Sequence, residues 1–85
     1  MSMATELIAA ISNAEHQLED QIARLQGYKI CIEKVQIKVS TVFDGSTIQE
    51  AKIMLDQLSV TKSQVDDTIG KLQDAKNKLS LIRMI

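Results

Sequence analysis

Few side chains in this chain could do chemistry. His16 is the only histidine, and Glu15, Glu19 and Asp20 surround it. An imidazole with carboxylates within a helical turn is the beginning of a divalent-metal site. A closed first-row metal site, however, draws on three or four protein ligands with Cys or further His among them. Here one His stands beside surface carboxylates, so the cluster reads as a solvated helix face. Asp66 and Asp67 are adjacent carboxylates, but they fall on a polar face and a helical pair offers them no pocket. Cys31 is the only cysteine and cannot form an intrachain disulfide. Its neighbours Ile30 and Ile32 predict a small buried hydrophobe rather than a reactive thiol. A Gly-rich phosphate loop, a CxxC pair and a nucleophile elbow are all missing. No catalytic residue, metal-ligand set or cofactor site is expected, and function must come from architecture.

The elements that would carry such an architecture are helical. The chain has 85 residues, enough for a single domain over 1–85. It has no proline and three glycines, and Ala, Leu, Ile, Gln, Lys and Glu dominate. With one Phe, one Tyr and no Trp, any core must be built from aliphatic ridges. A chain this short buries a limited core, so a helical pair leaves apolar surface open and association with another chain is the default expectation.

Apolar residues recur at steps of three and four along the first half, through Leu7, Ile11, Ala14, Leu18, Ile22, Leu25, Tyr28, Ile32, Val35, Val39 and Val42. Ile8, Ile30 and Ile37 widen this face beyond a two-stranded seam. The second half repeats the pattern at Ile48, Ala51, Leu55, Leu58, Val65, Ile69, Leu72 and Leu79. Met54, Ala75 and Ile82 widen it on one side. Lys62, Lys76 and Arg83 interrupt it, as polar residues that set register or partner do, or as stems that snorkel at a frayed edge. The pattern predicts an all-α antiparallel helical hairpin with helices over about 4–41 and 46–82. Gly27 and Gly70 lie inside the periodic segments, marking a bend, a close helix contact or a tolerated defect.

The break falls at Phe43-Asp44-Gly45. Gly45 supplies a positive-φ residue for a tight connection. Ser46 is predicted to cap the second helix, with Gln49 as its capping-box partner and Thr47 with Glu50 as the competing register. Phe43 precedes the cap, where it can staple onto the first turn of the second helix.

Charge supports the same fold. Residues 1–28 are acid-rich and residues 29–42 basic; residues 46–67 are acid-rich and 68–85 basic. Folding at Gly45 brings each acidic half to a basic half, and places acid near both helix N-termini and base near both C-termini. Asp20–Arg24, Asp67–Lys71 and Asp74–Lys78 are spaced as i,i+4 pairs. Net charge is -1, with no basic stripe and no stacking aromatics, so nucleic-acid binding is not expected. The apolar runs are too short for stable membrane insertion. No signal-peptide pattern opens the chain, so a cytoplasmic location is expected, with co-export by a non-Sec route as the alternative.

Two helical segments of similar length joined by an aromatic-x-Gly turn resemble the WxG-type (Esx-like) small helical hairpins of type VII secretion. The turn carries Trp-x-Gly in that family; here Phe43-Asp44-Gly45 stands in its place, and the small Ala51 after the turn also fits. The family's Tyr-x-x-x-Asp/Glu export signal after the second helix has no counterpart, since the only tyrosine is Tyr28, with Ile32 four residues on. One member of a family heterodimer often carries the signal for both. The resemblance therefore implies a signal-less, chaperone-like partner that binds the helical N-terminal domain of an LXG-type toxin, or another WxG-like hairpin, and supports its export.

Physical logic leads to a related expectation. The partner or packing face would comprise Leu7, Ile11, Leu18, Ile22, Leu25, Ile32, Val35 and Val39 with Ile48, Leu55, Leu58, Val65, Ile69, Leu72 and Leu79. A second hairpin docked there would complete a four-helix core. The alternative is a self-associating four-helix bundle, either a structural homodimer or a small RNA-binding regulator.

Overall fold

The computed structural model describes residues 3–45 and 48–85. Two long helices account for nearly all of them: α1, Met3–Val42, and α2, Gln49–Met84. The chain is an all-α helical hairpin. Its axes measure 66 × 14 × 14 Å, and α1, 40 residues long, spans about 60 Å at the usual rise. The molecule is therefore one helix long and two helices wide. Its radius of gyration is 19.4 Å, where a compact domain of this length would have about 12 Å.

Proline-free, Ala- and Leu-rich segments propagate helix without interruption, and the acidic residues Glu6 and Glu50 sit in the two first turns. Arg83 occupies the last turn of α2. The last turn of α1 holds no basic residue, so the expected charge pattern is met at that helix's start but not at its end. After Val42 the chain leaves α1 through Phe43, whose N–H donates to the Val39 carbonyl at 3.0 Å. Gly45 then adopts φ 73°, the left-handed conformation that L side chains resist.

The second helix opens later than expected. Ile48 is its N-cap, in extended backbone, and Gln49 is the first helical residue. Gln49 thus stands at the first position, not the third that a capping box with Ser46 requires. Ser46 and Thr47 themselves lie outside the described residues. Gly27 and Gly70 face open space: a Cβ at either would meet nothing within 4 Å. Neither marks a close helix contact.

Buried and half-buried residues define the seam. On α1 it runs Ile11, Glu15, Leu18, Ile22, Leu25, Lys29, Ile32, Gln36, Val39; on α2 it runs Ala51, Leu55, Leu58, Lys62, Val65, Ile69, Leu72, Lys76, Leu79. Both alternate steps of three and four and keep a strict seven-residue repeat, so the helices must coil about each other to stay in contact. The core is one layer deep. Its driest members are Ile11, Ile22, Ile32, Ala51 and Ile69, and no described side chain is fully buried.

This seam is not the whole expected stripe. On α1 the structure keeps Ile11, Leu18, Ile22, Leu25, Ile32 and Val39, with Ala14 half-buried beside them, but adds Glu15, Lys29 and Gln36 to the seam in place of Tyr28 and Val35. Leu7, Tyr28, Val35 and Val42 are left exposed, as is Ile48, the N-cap of α2. Residues three and four beyond a seam position flank it on opposite sides. The helices chose the mixed polar flank and left the apolar one open, because the polar flank finds partners across the seam.

Candidate helix-docking surface

The polar side of the hairpin is built from cross-helix pairs. Glu15 Oε2 accepts from Ser80 Oγ at 2.9 Å, and Lys76 Nζ lies 3.0 Å from Glu19 Oε1. Lys29 Nζ lies 2.7 Å from Asp66 Oδ1, and Lys62 Nζ 3.3 Å from Glu33 Oε1. Gln36 Nε2 donates to Ser59 Oγ at 3.2 Å. Moving up α1 through Glu15, Glu19, Lys29, Glu33 and Gln36, the partner moves down α2 through Ser80, Lys76, Asp66, Lys62 and Ser59 by identical intervals. One antiparallel register satisfies the whole set. Lys62, Lys76 and Arg83 are thus engaged within their own hairpin, not held free to select a partner.

Two of these contacts perturb proton affinity. The hydrogen bond from Lys76, reinforced by its charge, holds the Glu19 carboxyl below the ordinary glutamate range. The hydrogen bond to Asp66 raises the Lys29 ammonium above the ordinary lysine range, against a partial desolvation that opposes it. At the open end Glu15 is the one buried charged residue among those described. Arg83 Nη1 stands 3.2 Å from its Oε1, close enough for an ion pair but not aligned as a hydrogen bond, and Oε1 has no hydrogen-bond partner among the described residues.

The opposite side is apolar and open. In an antiparallel pair the same flank of each helix turns to the same side. The α1 flank carries Leu7, Ala14, Tyr28, Val35 and Val42 with Gln21 as its polar member, and the α2 flank carries Met54, Thr61, Thr68, Ala75 and Ile82. Leu7 and Ile82 line one cleft at the open end together with Ile11. Tyr28 is 60% exposed, Leu7 58% and Val35 46%. The threonines on this face are already satisfied: Thr61 Oγ1 donates to the Gln57 carbonyl and Thr68 Oγ1 to the Gln64 carbonyl, both at 2.9 Å. Covering them would strand no hydroxyl donor, which removes the usual cost of burying a polar side chain.

No family model, curated protein or solved structure matches this chain. The hairpin surface holds no cluster of metal-ligating side chains among the described residues. His16 is exposed and faces only Glu19, with Nδ1 to Oε2 at 3.7 Å. No helix is long and apolar enough to cross a membrane.

Cys31 departs from expectation. It is exposed, because it sits outside both the seam and the open flank, even though its sequence neighbours are isoleucines. Ile30 and Ile37 are exposed as well. Of the expected i,i+4 pairs, Asp20–Arg24 forms at 3.0 Å and Asp74–Lys78 at 2.9 Å; Asp67–Lys71 does not form. Glu15–Arg83, Glu19–Lys76 and Lys29–Asp66 each join an acid-rich segment to a basic one, as the charge halves predict, but which residues pair was not legible. A signal was present as polar residues at seven-residue spacing, such as Glu15, Lys29 and Gln36 within an otherwise apolar line. Only a known register says what each one meets.

Proposed function

We propose that this protein is a non-enzymatic docking partner. Its open face packs against the apolar face of another helical hairpin and completes a four-helix bundle. The carrying observation is the division of the hairpin into a side closed by its own ion pairs and a side left largely apolar and exposed, whose threonine hydroxyls are already bonded within their own helix. Area supports the same reading. A compact protein of this mass exposes about 5,000 Å², whereas this chain exposes 6541 Å². The excess exceeds the roughly 800 Å² that each partner buries in a standard interface.

The setting that best suits the face and the Phe43-Asp44-Gly45 turn together is type VII export. There the chain would act as a chaperone-like partner for the helical N-terminal domain of an effector, covering that domain's apolar surface until delivery. The test is co-expression with the helical N-terminal domain of an LXG-type effector from the same genome, followed by purification through a tag on that domain. A stoichiometric complex, lost with Tyr28→Glu/Val35→Glu and kept with the opposite-side variant Ser63→Glu, is the expected result. Absence of any complex, together with effector export that proceeds without this chain, overturns the export reading. The excess area equally suits a self-associating four-helix bundle, and the mass of the purified chain in solution separates the two.

A further inference from the structure

The docking face is bordered mainly by cations. Along the line that borders it on α1 stand Arg24 and Lys38; along the matching line on α2 stand Lys71 and Lys78, with Glu50 as the acid near the turn. All are exposed. Asp20 pairs with Arg24 and Asp74 with Lys78, but each of these carboxylates lies further round its helix, so the cation stands between it and the face. Among the described residues neither Lys38 nor Lys71 has an ion-pair partner. The register that sets Lys29 opposite Asp66 sets Arg24 opposite Lys71, near mid-length on the long axis.

This arrangement bears on what can cover the face. Two copies packed face to face are related by a two-fold axis lying either along the hairpin or across its middle. In both cases Arg24 and Lys71 of one copy meet Arg24 and Lys71 of the other. Like charges bordering an apolar seam select against that pairing, as they do at the edges of coiled coils. Resting on the docking function above, we infer that the natural occupant is not a second copy. It is a helical hairpin whose apolar stripe is bordered by carboxylates, densest at mid-length, where Arg24 and Lys71 stand.

A defined probe for such a partner is this chain itself with Arg24→Glu, Lys38→Glu, Lys71→Glu and Lys78→Glu. It has the same apolar face and an acidic border. Sedimentation equilibrium is run on the wild type, the variant and their mixture, at about 50 mM and about 500 mM salt, where screening lengths differ roughly threefold. The expected result is association in the mixture that weakens roughly tenfold or more in high salt, with each chain alone far weaker. Exposed Cys31 lies between Arg24 and Lys38 on the same border, so its labelling by a thiol reagent should slow in the mixture alone. Wild type that dimerises as tightly as the mixture overturns the charge inference and leaves the docking face standing. No association in any combination, with circular dichroism showing both chains helical, overturns both. Should the fourfold variant fail to fold, Lys38→Glu/Lys71→Glu leaves the two intrahelical pairs intact and poses the same question.

Discussion

Lys29 of α1 and Asp66 of α2 meet at 2.7 Å across the seam, and this pair shows how the hairpin holds its register. Lys29 occupies a seam position that an apolar residue would otherwise fill. Reversing one partner should break the match; reversing both should restore it. Lys29→Asp is expected to lower the melting temperature, since it faces Asp66 and stands four residues from Glu33. Lys29→Asp/Asp66→Lys should recover most of the loss. A thermal double-mutant cycle measures the coupling, and additive effects would mean that the pair contributes nothing to register.

The two flanks of α1 should respond differently to truncation. Ile32 is 7% exposed in the seam, while Val35, three residues on, lies on the open face. Ile32→Ala should cost about 2–3 kcal/mol in urea unfolding of the isolated chain. Val35→Ala should cost less than about 0.5 kcal/mol there and weaken partner docking instead. Equal costs would place Val35 in the seam.

Backbone freedom gives a third contrast. Gly45→Val puts a β-branched residue at φ 73° and should cost about 1–2 kcal/mol. Gly27→Ala adds a methyl that meets nothing within 4 Å in the interior of α1, and should stabilise by about 1 kcal/mol. Chemical denaturation of the two variants should therefore move in opposite directions.

The perturbed groups set the pH profile. Glu19 is depressed by Lys76, so its contribution is present above the ordinary glutamate value of 4.5 and lost as pH falls through the depressed one. Lys29 is raised by Asp66, so its contribution is complete below the ordinary lysine value of 10.5 and lost as pH rises through the raised one. Melting temperature should be flat across neutral pH and fall on both sides. Lys76→Met should blunt the acid limb and leave the alkaline one.

Glu15 is the exception within the seam. One oxygen is held by Ser80 and the other has only a misaligned Arg83. A buried carboxylate with incomplete hydrogen bonding repays little of its desolvation. Glu15→Leu should leave stability unchanged or raise it by about 1 kcal/mol, read as the urea midpoint. A clear drop would show that the Ser80 and Arg83 contacts outweigh the burial cost.

Much of the fold was legible before any coordinates. The three-four periodicity of Ile11, Ala14, Leu18, Ile22 and Leu25, the lack of proline and the glycine two residues after Phe43 were enough to predict two long helices and a turn. Periodicity is a local property and reads directly from a chain. The cap was not legible, because α2 begins at Gln49 behind an isoleucine and Ser46 offered a plausible but earlier start. Nor was the exposure of Cys31, since sequence neighbours on a helix point in different directions.

The sequence by itself determined that this protein is helical, that it folds back once, and that its apolar residues exceed what one seam can bury. Only the tertiary structure decided which apolar line is buried and which stays open. A seam through Ile11, Leu18, Leu25, Ile32 and Val39 can widen toward Tyr28 and Val35 or toward Glu15, Lys29 and Gln36, and periodicity does not distinguish them. The choice depends on what stands across the gap. In this register Ser80, Asp66 and Ser59 meet the polar line, which offsets part of the cost of burying it, and the apolar line remains on the outside.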